Sequence, residues 1–115
     1  MYSKGVLLMT FEEIVQKVTE VYAGADTSRV SEHAAIEIDV LGEGEGAFYV
    51  EMSPGRIVVA PYNYYDRDAV VTVFAKHLME LIEGKTDVEN AYIARKIHVR
   101  GSLDKVYLLT DVLAE

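Results

Sequence analysis

Ala69-Val70-Val71-Thr72-Val73-Phe74 is the stretch whose reading decides the fold. Helical and strand periods are both poorly resolved across it, so composition arbitrates. Four β-branched side chains in succession, Val70 to Val73, lose rotamer freedom in a helix and pack well on a pleated surface. The run therefore reads as a strand buried on both faces. From Ala75 the chemistry changes. Leu78, Leu81 and Ile82 mark a short helix that Gly84 closes. Thr86 or Asp87 can cap a further short helix carrying Val88, Ala91 and Tyr92. Lys96-Ile97-His98-Val99-Arg100 alternates as a strand, with His98 on the face opposite Ile97 and Val99. Gly101-Ser102 then leads into a last helix predicted over Leu103 to Leu113.

Upstream, Thr10 is an N-cap with Glu13 three residues on, and Phe11, Ile14, Val15, Val18, Val21 and Tyr22 repeat at helical spacing. A helix follows from about Thr10 to Ala23, ended by Gly24. Ile36, Ile38 and Val40 alternate with Glu37 and Asp39, the period of a strand with one wet face. Phe48, Val50 and Met52 alternate with Tyr49 and Glu51, and Ser53-Pro54-Gly55 turns into a third strand, Arg56 to Ala60. These three form an antiparallel meander. The element order is α-β-β-β-β-α-α-β-α, an α+β class. A chain of 115 residues, half of them apolar and 26% charged, suits one packed domain over residues 1–115.

Three segments invite a functional reading. Gly42-Glu43-Gly44-Glu45-Gly46 resembles a phosphate-cradling loop only in its glycines. Glu43 and Glu45 would repel phosphate, no helix follows, and no Lys-Ser/Thr pair is present. A flexible hairpin connection is the reading adopted. Pro61-Tyr62-Asn63-Tyr64-Tyr65-Asp66-Arg67 holds three tyrosines in four residues. Such rings mark a contact surface or belong to a crossover lying down over the sheet, and the sequence leaves both open. The terminal helix is apolar on more than one side. Val106, Leu109 and Leu113 lie near one line, with Tyr107, Leu108 and Val112 on the flank. It needs cover from two directions: the core, a second subunit, or a lipid-filled cavity.

Charge and composition exclude several classes. The net charge of −8 argues against nucleic acid, whose binding relies on clustered Lys and Arg. It also disfavours stable membrane insertion at anionic lipid. Without cysteine there are no disulfides, thiolate metal sites or thiol nucleophiles, and a reducing compartment fits. Met1 to Thr10 carries one Lys and four consecutive apolar residues, too few for a secretory signal, so cytoplasmic residence is expected. His33, His77 and His98 sit in different elements and form no metal motif. No serine lies in a Gly-x-Ser-x-Gly elbow, and no general base stands out. No catalytic residue, metal or cofactor is nominated, and the chain does not read as an enzyme.

Asp68 to Leu113 nevertheless resembles the sterol carrier protein type 2 family. The residues that carry the resemblance are Asp68 ahead of Val70-Val71-Thr72-Val73, then Leu81-Ile82-Glu83-Gly84-Lys85, Ala91-Tyr92, Lys96-Ile97-His98-Val99-Arg100-Gly101, and the leucine-rich close. The first helix and the meander agree in order. The resemblance implies a five-stranded sheet backed by helices, with an apolar tunnel between the sheet and the later helices. It implies a non-enzymatic carrier of an apolar lipid: fatty acyl, isoprenoid or sterol-like. The expected walls are Phe48, Val50, Leu78, Leu81, Ile82, Tyr92, Ile97, Val99, Val106, Leu109 and Leu113. One position departs: Arg95 stands where the family commonly has Gly, so the entry to the next strand is expected to be shaped differently. Two other readings remain. One is a homodimer or partner-binding module with a filled core and a Tyr62-Tyr64-Tyr65 surface, the other an accessory domain presenting apolar substrates to an enzyme.

Overall fold

Thr10 opens the first helix with a reciprocal cap. Its hydroxyl accepts from the Glu13 N–H at 3.1 Å, while the Glu13 carboxylate accepts from the Thr10 N–H at 2.9 Å. Two donors that a helix start leaves orphaned are thereby satisfied. Helix α1 then runs Phe11–Ala23 and buries Ile14, Val18 and Tyr22 on one face. The computed structural model describes residues 9–62 and 65–114. The readings placed on residues 1–8 and on Tyr64 fall outside them.

Five strands form one sheet: β1 Ala34–Leu41, β2 Gly46–Ser53, β3 Arg56–Ala60, β4 Ala69–Phe74 and β5 Ile97–Gly101. Their order is β3-β2-β1-β4-β5. The first three are the expected meander, antiparallel throughout. β4 lies beside β1 and parallel to it, from Ile36 opposite Ala69 to Leu41 opposite Phe74. β5 closes the sheet antiparallel to β4. With a strand on each side, Ala69, Val70, Val71 and Val73 are buried, as a run of β-branched residues requires. Helices α2 (Ala75–Ile82) and α3 (Val88–Ile93) follow β4, and α3 starts at Asp87, whose carboxylate accepts from the Asn90 N–H.

A parallel pair cannot be started by a hairpin, so something else must align β1 with β4. Asp68 does this. Its N–H donates to the Ala35 carbonyl at 2.7 Å, and its carboxylate accepts from the Ala35 N–H at 2.8 Å. Its own carbonyl accepts from the Ser102 N–H at 3.0 Å. Lys105 Nζ stands 3.4 Å from the Asp68 carboxylate and donates to the His33 carbonyl at 2.9 Å. One side chain and its peptide thus join the starts of β1 and β4 to the segment after β5.

Two expectations change, and one open alternative is decided in its described part. The terminal helix is two pieces, α4 Leu103–Val106 and α5 Leu108–Asp111, interrupted at Tyr107. Separate anchors account for the break. α4 is held at the Asp68 cluster, whereas α5 is held by the Tyr22 hydroxyl donating to the Leu109 carbonyl and by Thr110 Oγ1 accepting from the Val88 N–H at 3.1 Å. The glycine run after β1 is packed and not a flexible link. Gly44 has φ of 77°, and a Cβ there would lie 2.6 Å from the Ile14 side chain and 2.7 Å from the Met9 carbonyl. The tyrosine-rich crossover does lie over the sheet in its described part. The Tyr62 ring meets Tyr49 edge-on at 5.5 Å, and Arg67 reaches Glu37 at 3.4 Å, while Tyr65 is 93% exposed.

Beneath that crossover Glu37 is buried on β1. Burial, and then the neighbouring Asp39 carboxyl, push its pKa above the ordinary carboxylate value, against the pull of Arg67 and Arg100. A raised carboxyl pKa means that the folded state holds the proton more tightly than the unfolded chain does. The stabilisation is complete below the unfolded pKa and is lost as pH rises through the folded one. Glu37→Gln should therefore unfold at higher denaturant than the parent at neutral pH, with the gap closing in acid. Urea titrations at several pH values measure it. Asp68→Ala leaves the buried Ala35 N–H without its side-chain acceptor and should cost about 1–3 kcal/mol in the same assay.

Candidate functional site

At the end of the sheet where β4 passes into α2 and α3 passes into β5, the chain leaves a groove of about 740 Å³. Its apolar side is Leu41 from the end of β1, Val73 and Phe74 from the end of β4, Tyr92 and Ile93 from α3, and Ile97 from β5. Thr72, His77, Arg95, Lys96 and His98 complete the wall. The exposures are unusual for such residues: Leu41 42%, Phe74 53%, Tyr92 44% and Ile93 70%. Large apolar groups scattered singly over a surface carry no message, but grouped ones mark a contact or ligand site.

No carboxylate lines this groove, although the chain has 19 acidic residues and 11 Lys and Arg. Glu80 sits just outside, accepting from His77 Nδ1 at 3.2 Å and lying 3.6 Å from Lys96 Nζ. The His77 hydrogen bond, aided by Lys96, lowers the Glu80 pKa. His77 and Lys96 are thus both engaged. Arg95 has no side-chain partner among the described residues.

The backbone at Arg95 is itself informative. α3 ends with the Arg95 N–H donating to the Tyr92 carbonyl at 3.1 Å and the Lys96 N–H to the Ala91 carbonyl at 2.9 Å. α2 ends the same way, with Gly84 N–H to Leu81 at 3.3 Å and Lys85 N–H to Glu80 at 2.9 Å. Both are Schellman closures, which need a left-handed residue at the turn. Gly84 supplies it at φ 79°, and Arg95 adopts it at φ 62°. The entry to β5 is accordingly a left-handed turn of the kind glycine makes, not the altered shape expected from Arg95. Arg95 is the one described non-glycine residue with positive φ.

The expected wall residues divide into two groups. Phe48, Val50, Leu78, Leu81, Ile82, Ile97, Val106 and Leu109 are buried in a single core cluster, with Val99 and Leu113 packed against it. Their side chains lie against one another between the sheet and the later helices. Tyr92 and Ile97 also line the groove just described. Ile82 and Leu113 line a second concavity, of about 580 Å³, beside Val21 and Gly84. The two openings therefore lie at opposite ends of α2, whose eight residues span about 12 Å.

Sequence reading missed Leu41, Phe74 and Ile93. For Leu41 and Ile93 a signal was present, since each is a large apolar residue on the side of its element that the period assigns to water; Phe74 ends a strand read as buried on both faces and gave none. His98, expected in solvent, is exposed at the groove's rim. Among the described residues no three His, Asp or Glu side chains gather to hold a metal ion. No helix among them is long and apolar enough to cross a membrane.

The family model of the SCP-2 sterol transfer family matches residues 11–114. The chain belongs to that family. No curated protein matches this SCP-2 domain in sequence. Among solved structures it is similar to the palmitated sterol carrier protein 2 like 2 from Aedes aegypti. That likeness has 16% identity and a TM-score of 0.66, covering 93% of this chain and 96% of the other. It is also similar to the UbiJ-SCP2 ubiquinone synthesis protein, at 15% identity and a TM-score of 0.67, covering 88% and 96%. A third likeness is to the sec-alkylsulfatase Pisa1 from Pseudomonas sp., at 15% identity and a TM-score of 0.67. There 79% of this chain is covered but only 14% of the sulfatase. At such identities the likenesses establish the five-stranded α+β fold.

Tyr22, deep in this SCP-2 fold, ties α1 to the terminal segment through its hydroxyl. Burial raises its pKa well above the usual phenol value. Tyr22→Phe should cost about 1–2 kcal/mol in thermal or chemical unfolding, because the Leu109 carbonyl then loses its buried donor.

Proposed function

We propose that residues 1–115 act as one lipid-binding domain, which takes up an acyl, isoprenoid or sterol-like hydrocarbon at the groove and transfers or presents it without catalysis. One observation carries this reading. Of the six large apolar side chains exposed among the described residues, Leu41, Phe74, Tyr92 and Ile93 share a single groove. Its volume falls in the range of small-molecule sites. Membership of a family named for sterol transfer supports it, as does the palmitated state of the Aedes aegypti relative. The absence of cysteine suits a cytoplasmic setting.

Ile97 belongs to both the groove and the packed layer, so it is the natural threshold between them. A hydrocarbon passing Tyr92 and Ile97 would follow Leu78, Leu81 and Ile82 along α2. Phe48, Val50 and Val99 would form the sheet side, and Val106, Leu109 and Leu113 the terminal side. Burial of each methylene contributes roughly 0.8 kcal/mol, which offsets the parting of side chains that close on one another in the free protein. The break at Tyr107 lets α5 act as the movable wall, parting from the Tyr22 hydroxyl and the Val88 N–H, while α4 stays tied to Asp68. Presentation to an enzyme is the second use of the same binding. The occurrence of this fold as a small part of an alkylsulfatase chain favours it.

The decisive measurement is native mass spectrometry of protein purified without detergent, followed by titration with a fluorescent fatty acid. Co-purified lipid and saturable binding are expected, and the absence of both would sink the proposal. Ile93→Ser should leave stability within about 0.5 kcal/mol, since the side chain is mostly exposed, yet weaken lipid binding by roughly ten-fold. Light scattering should show a concentration-independent monomer. A tight dimer without bound lipid would instead favour an interaction module.

A further inference from the structure

We infer that Arg95 makes the groove selective for a lipid whose head is a single carboxylate, an inference that rests on the lipid-binding reading above. The first observation is the choice of residue. The chain closes two successive helices with the same motif and places glycine in one, where the left-handed turn costs nothing. In the other it places arginine at φ 62°, a conformation disfavoured for any residue with a Cβ. Strain held at one defined position points to a use for the side chain. That side chain lines the groove.

The second observation is charge. Within the groove wall the cations are Arg95 and Lys96, the imidazoles of His77 and His98 stand beside them, and no carboxylate lies among them. Lys96 and His77 are already drawn to Glu80. Arg95 is the one arginine of the groove wall, and its guanidinium has no partner among the described residues, at the edge of a surface made by Leu41, Phe74, Tyr92 and Ile93. A guanidinium presents paired N–H groups that match the two oxygens of a carboxylate. The occupant that fits is an amphiphile with its hydrocarbon on the apolar side and one negative charge at Arg95. A dianionic phosphate head would bring a second charge toward Glu80, in a protein that already carries a net charge of −8. The single free guanidinium of the wall is matched by a monoanion.

The test compares three ligands with one chain length, decanoate, 1-decanol and decyl phosphate, competing against a bound fluorescent fatty acid at about pH 8, where the phosphate is dianionic. The parent protein should prefer decanoate to 1-decanol by about ten-fold or more, and to decyl phosphate as well. Arg95→Gly should abolish the preference for decanoate while leaving 1-decanol affinity unchanged, and should raise the melting temperature by releasing the left-handed strain. Arg95→Lys should keep part of the preference. If Arg95→Gly binds decanoate as the parent does, the inference is overturned although the lipid-binding reading stands. Tighter binding of decyl phosphate, or a lowered melting temperature for Arg95→Gly, also overturns it. If none of the three displaces the bound fluorescent fatty acid, the inference is overturned while the lipid-binding reading stands; if the fluorescent fatty acid itself fails to bind, both readings fall together.

Discussion

The alignment of β1 with β4 is the constraint on which the rest of the molecule depends, and Asp68 enforces it. A parallel pair formed between residues 33 positions apart has no turn to set its register, and a slip of one residue would exchange its two faces. By holding both the N–H and the carbonyl of Ala35, Asp68 fixes which side chains of each strand face the helices. Ile36, Ile38 and Val40 of β1 then join Val71 and Val73 of β4 in one core with Leu78 and Leu81 of α2. The same residue receives the Ser102 N–H and faces Lys105, so the start of the terminal segment is registered against the same point.

The groove follows from this arrangement. Parallel pairing brings Leu41 opposite Phe74 at the far end of the two strands, and both side chains emerge together beyond the last covered row. α3 returns the chain to the same end, and its closing turn sets Tyr92, Ile93 and Arg95 across from them. A site is thus built from five elements that meet only because the register is fixed elsewhere. Its residues are positioned by rigid backbone, while the chemistry it offers is confined to hydrocarbon contact and a few cations.

Much of this was legible in the amino-acid order, because the strongest patterns were local. Thr10 and Glu13 announce their cap, Ile36 to Val40 alternates cleanly, and Val70 to Val73 can hardly be anything but an inner strand. What the order could not show was association between distant parts. Nothing in Val70 to Val73 says that β1 lies beside it in parallel. The glycines at 42, 44 and 46 looked like slack because the Met9 carbonyl and the Ile14 side chain that crowd Gly44 are far away in sequence. The terminal segment looked like one helix because Tyr22 and Thr110, whose bonds hold its second half apart, give no periodic signal. Arg95 was visible as an oddity, but its left-handed turn required coordinates.

The position of β5 at the border of the sheet bears on how the protein behaves when crowded. A border strand exposes a row of unpaired peptide groups that another sheet can adopt, the route to stacked, insoluble aggregates. β5 is only five residues long, and outward from it stand His98 and Arg100, with Lys96 just before its first residue. Two copies approaching border to border would bring those charges together. The opposite border, β3, is packed by α1. A molecule that leaves hydrocarbon open to water at one end thus carries charge along one border of its sheet and a helix against the strand at the other.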